Sequence, residues 1–526
     1  MSNPSNPSRS YILIMKIRSD LLLKKMFSHV KERKKLQILQ KNKRIRYKIN
    51  ISIDDYKNFK KTEIIIVPEK NMHDAFINIT EEEKIKYHVY FNDKEEEEEN
   101  KETKISTMDI EKIKIILDEG FMTFSQLFSD CCCESIEFIK FNRTNIDNMY
   151  KMFYNCQAKT INLSNWGIRN VKDMSYMFAE CKCLKELYIY NINVENVTNM
   201  EYMFYDCDNL KTINLSNLDA KNVLNMEYMF AECRSLTKIN LSSFNTTQLK
   251  NMENIFYSCQ KLKEIDLSSF NTENVTNMKD MFYLCDLLEN IIFSKKFDTG
   301  NVTDMEGMFG GCSSLKNIDV SCFKTEKVES LCFMFNGCTS LNEINLSNFN
   351  TKNVINMNGM FSGCEELKSI DLSNFNTKNV IDMSNMFRGC KKLKLISFNF
   401  NTQKVTDMSH MFEECSSLMN LSIKFNTRNT RNISCMFKKC FSLKSIDLSN
   451  FDMKNVLHMY CMFDECVSLK SISLPEFDFT NVKCIDGMFF DNPDELQKYI
   501  MNRNPGIKAE AFKQTDEESC SCWYQH

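Results

Sequence analysis

The residues in this sequence best suited to chemistry are its 24 cysteines and 33 methionines, which outnumber its 12 glycines and 6 prolines. Thiolates and thioethers are soft metal ligands, and thiols also carry redox chemistry. Spacing decides against both uses. Cysteines recur at 131, 156, 181, 207, 233, 259, 285, 312, 338, 364, 390, 415, 440 and 466, a step of 25 to 27 residues, and Asn492 stands where the next is due. One thiol per step lacks the paired spacing of a zinc site. A Met-Phe pair precedes the Cys, as in Met360-Phe361 before Cys364, and a Leu follows it, as in Leu367. Residues that keep step in this way belong to one structural unit copied in tandem. Cys207, Cys233, Cys259, Cys285, Cys312, Cys338, Cys364 and Cys390 are therefore read as a buried thiol ladder. Met226, Met252, Met278, Met305, Met357 and Met383 are read as core packing.

Other chemistry finds no footing. The sequence holds no HExxH, P-loop, EF-hand loop, GxGxxG or nucleophile motif, and its six histidines are scattered, with His410 and His458 expected to be exposed. The expectation is no catalytic residue, no metal, no cofactor and no enzymatic activity. Lys plus Arg total 67 against 70 Asp plus Glu, so no global field points to a specific nucleic acid. No stretch approaches the ~20 apolar residues of a membrane span. The apolar run Tyr11–Met15 is followed at once by Lys16, Arg18 and Asp20, without a small-residue cleavage site. That predicts no conventional signal peptide and a reducing, cytoplasmic setting. Export to the cell surface by an unconventional route is the alternative.

The elements that position the repeated residues can be read from one unit. In Leu367–Ser373, Leu367, Ile370 and Leu372 alternate with Asp371 and Ser373, the period of a half-buried strand. Phe375 turns inward, and Asn376-Thr377 make a turn through side-chain hydrogen bonds where Gly is scarce. Val380, Met383, Met386, Phe387 and Cys390 then form the apolar face of a short helical return. The expected fold is an α/β repeat solenoid with one parallel β-sheet and short helical returns, preceded by a small, mainly helical N-terminal region.

Phe270–Met281 (FNTENVTNMKDM) and Phe349–Met360 (FNTKNVINMNGM) carry a family resemblance. The repeat resembles the BspA-like leucine-rich repeats, the 26-residue type of bacterial surface proteins, over about 121–491. The resemblance implies a leucine-rich-repeat-like solenoid. It also implies, as one reading, an adhesin that binds host or matrix. Asp20–Arg44 resembles an F-box, the helical adaptor-binding module, although its Leu-Pro opening is missing.

The expected organisation is a disordered leader over 1–15, a basic helical F-box-like segment over 16–61, and a mixed α/β connector over 62–120. The solenoid of about 14 repeats follows over 121–491, then a cap and mobile tail over 492–526. The segment 16–61 holds sixteen Lys or Arg against four Asp or Glu, and an adaptor protein there is a candidate partner. The solenoid itself is expected to bind a protein ligand and act as a scaffold, as a ubiquitin-ligase substrate receptor if the F-box reading holds. On its sheet, Asp266, Asp319, Asp371 and Asp447 form a polar ladder, broken by Tyr188, Tyr190 and Ile292. Exposed aromatic and apolar breaks are the expected partner anchors.

Overall fold

In the computed structural model of the 526-residue chain, the residues described are 60–70, 74–94, 96–97, 103–105, 110–141, 143, 146–164, 166, 168, 170–189, 192, 194–475, 481–504 and 506–514. The leader 1–15, residues 16–59 of the F-box-like segment, Tyr190 and the tail from 515 lie outside them. Contacts divide the chain into two compact units, Met1–Val171 with Glu186–Val194, and Lys172–Lys185 with Glu195–His526.

The first unit is built on a six-stranded sheet of order β2-β3-β1-β4-β5-β6. Its strands are β1 Thr62–Val67, β2 Tyr87–Phe91, β3 Ile113–Leu117, β4 Ser135–Lys140, β5 Thr160–Asn162 and β6 Glu186–Tyr188. Isoleucine-rich runs with alternate burial form β1 and β3, as β-branched side chains favour. They pair antiparallel, and β1 also pairs antiparallel with β4, placing Ile66 opposite Ile136. From β4 onward the pairing is parallel, with Ile136, Ile161 and Leu187 in register. The antiparallel strands thus cover the edge of the first repeat strand, which would otherwise expose unpaired backbone groups. The expected helical N-terminal region is not borne out: residues 16–59 lie outside the described residues, and between 60 and 120 the regular elements are three strands and one 3-10 turn at Glu83–Lys86. Arg143, 2 % exposed, fastens this unit. It donates to the Thr62 hydroxyl and to the carbonyls of Leu117, Asp118, Glu119 and Phe121.

The second unit is a repeat solenoid. Its strands are β7 Thr212–Asn214, β8 Lys238–Asn240, β9 Glu264–Leu267, β10 Asn290–Phe293, β11 Ser369–Leu372, β12 Leu395–Phe398, β13 Asn420–Leu421, β14 Ser445–Asp447 and β15 Ser471–Ser473. They pair parallel and in register as β7-β8, β9-β10, β11-β12 and β13-β14-β15. The expected single sheet is therefore a series of short ones, because each rung ends early. The Asp266 carboxylate takes the Ser268 N–H at 2.8 Å, and Asp371 takes that of Ser373 at 3.0 Å. Such Asx turns divert the chain.

The returns are not helical, which corrects the α/β assignment to a β-solenoid with little helix. Through Met200–Cys207, alternate N–H groups leave the repeat: Tyr202, Phe204 and Asp206 donate to Glu227, Met229 and Ala231 of the next coil. The intervening Met203, Tyr205 and Cys207 donate three residues back, closing tight turns. Tyr202 and Asp206 both have φ 54°, in the left-handed region that no helix admits. The spacing of apolar residues matches a helix because two successive turns also return side chains to one face.

Three ladders run through the core. Phe178, Phe204, Phe230, Phe256 and Phe282 stack at 5.3 to 5.5 Å between centroids. Each ladder cysteine, 0 % exposed, donates its thiol to a phenylalanine carbonyl of the preceding coil, Cys207 to Phe178 and Cys364 to Phe335. Buried Thr246, Thr299, Thr325, Thr351 and Thr402 each serve both backbone groups of one residue in the next coil. The Thr351 hydroxyl donates to the Asn376 carbonyl at 3.1 Å and accepts the Asn376 N–H at 2.8 Å. The last rung is made by the chain's return. After α1, Asp494–Arg503, the 3-10 turn Ala509–Phe512 receives the N–H of Gly487 at Glu510 and that of Phe489 at Ala511.

Candidate interaction surface

Two positions in every return are held at positive φ: the residue before Met-Phe and the residue before the ladder Cys. In several coils these positions carry side chains that reach the surface, while Asn254, Ser258, Cys435 and Cys461 at the same positions are buried. In three successive coils the first position is tyrosine. Tyr176, Tyr202 and Tyr228 stack with ring centroids 4.6 Å apart and interplanar angles of 4° and 10°. Tyr205 packs edge-on against Tyr202 at 5.3 Å, and Tyr257 stacks on Tyr283 at 5.7 Å. All six rings are half-buried.

Beside the rings runs a column of carboxylates, Glu201, Glu227 and Glu253. Asn225, Asn251 and Asn277 of the next coils hold them at 3.2, 3.0 and 2.7 Å. Burial, and the like charges of Glu253 and Glu201, push the Glu227 carboxyl above its ordinary value. Burial likewise raises the hydroxyls of Tyr202, Tyr205, Tyr228 and Tyr257. The result is a rigid aromatic face edged with negative charge, complementary to apolar and cationic side chains.

The residues singled out in the sequence fall elsewhere. Tyr188 lies on β6, 36 % exposed, with its hydroxyl 2.8 Å from Glu186. Ile292 on β10 is 47 % exposed and lies in register with Asp266 on β9. Asp266, Asp319, Asp371 and Asp447 are exposed, and each caps its own turn through the N–H two residues on. That bond, with the serine hydroxyl, holds the Asp319, Asp371 and Asp447 carboxyls below their usual range. The tyrosine columns were missed, although the signal was present: Tyr stands directly before Met-Phe at 176, 202 and 228.

The histidines are corrected. His410 is half-buried, with Nδ1 2.7 Å from Glu413, and His458 is half-buried in the backbone ladder between Asn432 and Cys484. Glu413 belongs to a column of alternating charge, Arg388, Glu413, Lys438 and Asp464, joined at 2.9 Å (Arg388–Glu413) and 3.3 Å (Lys438–Asp464). Burial acts to raise the Glu413 carboxyl, but His410, Arg388 and Lys438 outweigh it and hold the carboxyl low. These charges satisfy one another. Among the described residues, no group of three or more His, Cys, Asp or Glu is placed to hold a metal ion. No helix among them is long and apolar enough to cross a membrane.

No curated protein matches the chain. Among solved structures it is similar to a leucine-rich repeat protein from Eubacterium ventriosum, at 15% identity and TM-score 0.32, covering 68% of this chain and 90% of that one. A leucine-rich repeat protein of Leptospira interrogans is 13% identical over 70% of this chain and 93% of its own, at TM-score 0.21. Similarity to the TLR13–ssRNA13 complex, at 17% identity and TM-score 0.25, covers 68% of this chain, which spans 56% of that one. Family matches cover residues 96–188, 122–235, 185–293, 289–397 and 394–502. Since they run without a gap through both units' repeats, the chain belongs to the repeat family described as Mycoplasma protein of unknown function, DUF285.

Proposed function

We propose that this protein is a non-enzymatic interaction scaffold that binds a protein partner on the surface of its solenoid. The observation that carries the reading is the stack of Tyr176, Tyr202 and Tyr228 beside Glu201 and Glu227. Stacked, half-buried rings are already ordered, so binding to them costs little side-chain entropy, and tyrosine is enriched at energetically dominant contacts. Tyr188, Ile292 and the Asp266, Asp319, Asp371 and Asp447 ladder are proposed as secondary contacts on the strand face. Resemblance to an F-box adds the finer reading that residues 16–61 dock an adaptor, with the solenoid presenting substrate to a ubiquitin ligase.

Affinity purification of the full chain and of a Tyr202→Ala/Tyr228→Ala variant from the same cells tests the scaffold reading. A stoichiometric protein partner held by the first and lost by the second, at unchanged thermal stability, is expected. Identical partners for both, or none, overturns it. Deleting residues 16–61 should remove an adaptor while leaving the tyrosine-dependent partner bound.

A further inference from the structure

A second surface lies toward the C-terminal end of the solenoid, where a different column changes character. The N–H groups of Ile355, Ile381, Thr406, Arg431, Leu457 and Lys483 each donate to the preceding member of one backbone ladder. These side chains therefore follow one another at roughly the 4.8 Å rung spacing. Arg431 and Lys483 project from this ladder into an open groove of about 950 Å³, joined by Lys404 and Lys454 from neighbouring columns. Among the described residues, no Asp or Glu lines it.

Some cations elsewhere on adjacent coils are matched by carboxylates: Lys391 with Glu365 and Lys392 with Glu366 at 2.7 Å, Lys324 with Asp298 at 2.6 Å. In the groove, Lys404 donates to the Asn379 side-chain oxygen at 2.8 Å. Arg431, Lys454 and Lys483 are exposed, with no carboxylate in ion-pair range among the described residues. A like-charge cluster without internal compensation works against the fold, so an anionic ligand is what would balance it.

The rest of the lining identifies the ligand. Ile381, 44 % exposed, and Leu457 form an aliphatic floor, continued by Ile355 at 43 % exposure. Among the described residues no aromatic ring lines the groove, and stacked rings are the platform that single-stranded nucleic acid uses. An aliphatic floor is also idle against a sulfated glycan. We infer that this groove binds an acidic peptide segment of a partner protein, its carboxylates on Arg431, Lys454 and Lys483 and its aliphatic side chains on Ile381 and Leu457. The inference rests on the reading of the chain as a protein-binding scaffold and adds a second site with opposite charge preference.

The test is fluorescence anisotropy of the full chain with a labelled peptide in which Glu alternates with Leu. Binding should weaken with salt, as exposed charge contacts do. It should fall roughly tenfold or more in the Arg431→Glu/Lys483→Glu variant, and remain in Lys368→Glu, a charge change on the strand face. The same peptide with Gln for Glu should not bind. Absence of binding by the wild-type chain, or equal binding of the Gln peptide, overturns the inference. So does tighter, Arg431-dependent binding of a single-stranded RNA or heparin. Tyr202→Ala/Tyr228→Ala should bind the peptide normally, so failure of this site and failure of the tyrosine surface are told apart.

Discussion

Asn492 donates its side-chain amide to the Phe463 carbonyl at 2.6 Å, the bond that Cys466 makes one coil earlier, thiol to the Phe437 carbonyl, at 3.0 Å. The residue that replaces the last ladder cysteine thus keeps the donor and abandons the sulfur. What the position requires is a small buried group that satisfies the carbonyl of a left-over turn, and only secondarily a thiol.

A substitution that keeps volume but removes the donor should therefore cost more than one that keeps the donor. Cys364→Val removes one of two donors to the buried Phe335 carbonyl, which keeps the Cys338 N–H at 3.2 Å, and is expected to lose about 0.5–1.5 kcal/mol. Cys364→Ser should lose less. Urea unfolding of the two variants checks the order, and the reverse order would mean that packing volume alone selects cysteine.

The ladder also sets a response to alkaline pH. Burial pushes the Cys338 thiol from an ordinary value of 9.0 up to about 12, and raises Cys364 and Cys415 in the same direction. Above pH 9 the unfolded chain releases thiol protons that the folded chain retains. Stability is therefore full below the ordinary value and is lost as pH rises from there toward the folded values. Urea midpoints should fall between pH 8 and pH 10 by more than in a variant with several ladder thiols replaced by serine. In the native state these thiols should resist iodoacetamide at pH 8, where the denatured chain reacts.

How much of this was legible depends on which physical signal each feature leaves in the sequence. The period and the burial of Met, Phe and Cys were readable because packing repeats with the coil. The return could not be told from a helix by spacing: Met383, Met386, Phe387 and Cys390 would share a face either way. The distinguishing mark was conformational. Gly311, Gly337, Gly363 and Gly389 all stand directly before the ladder cysteine, at φ between 68° and 74°, a clustering that left-handed turns explain and a helix does not. The strand-face aspartates were legible as a ladder, but not as caps of their own turns. Tyr202 and Arg431 escaped because surface columns obey no period beyond the coil itself, and their meaning lies in which neighbours share the column.

The threonine ladder makes a sharper demand than its place in a turn suggests. Thr351 is 0 % exposed and its one hydroxyl serves both the N–H and the carbonyl of Asn376. Thr351→Val keeps the shape and removes both bonds to Asn376, itself an exposed residue, so a loss of about 1–3 kcal/mol is expected from two lost hydrogen bonds. Thr351→Ser keeps the hydroxyl and should cost under about 1.5 kcal/mol, the value of one methyl group. Similar losses for the two would show that the methyl group, not the hydroxyl bridge, holds adjacent coils together.

Glycine at the second left-handed position serves close approach as well as backbone freedom. A Cβ on Gly363, at φ +73°, would lie 3.3 Å from the Cα and N of Gly337. Both contacts are backbone atoms of the neighbouring coil and have little room to give. Gly363→Ala therefore adds a steric term to the left-handed penalty of about 1–2 kcal/mol per residue. Other coils tolerate Glu414 or Lys439 at the same position, so the strain arises from Ala being flanked by coils already drawn together by Gly337 and Gly389. At Gly506, which has no positive φ, a Cβ would meet nothing within 4 Å; this position is the control and should accept Ala without loss. Thermal unfolding of the two variants decides the matter: equal stability would show that the column of glycines is set by neither contact nor conformation.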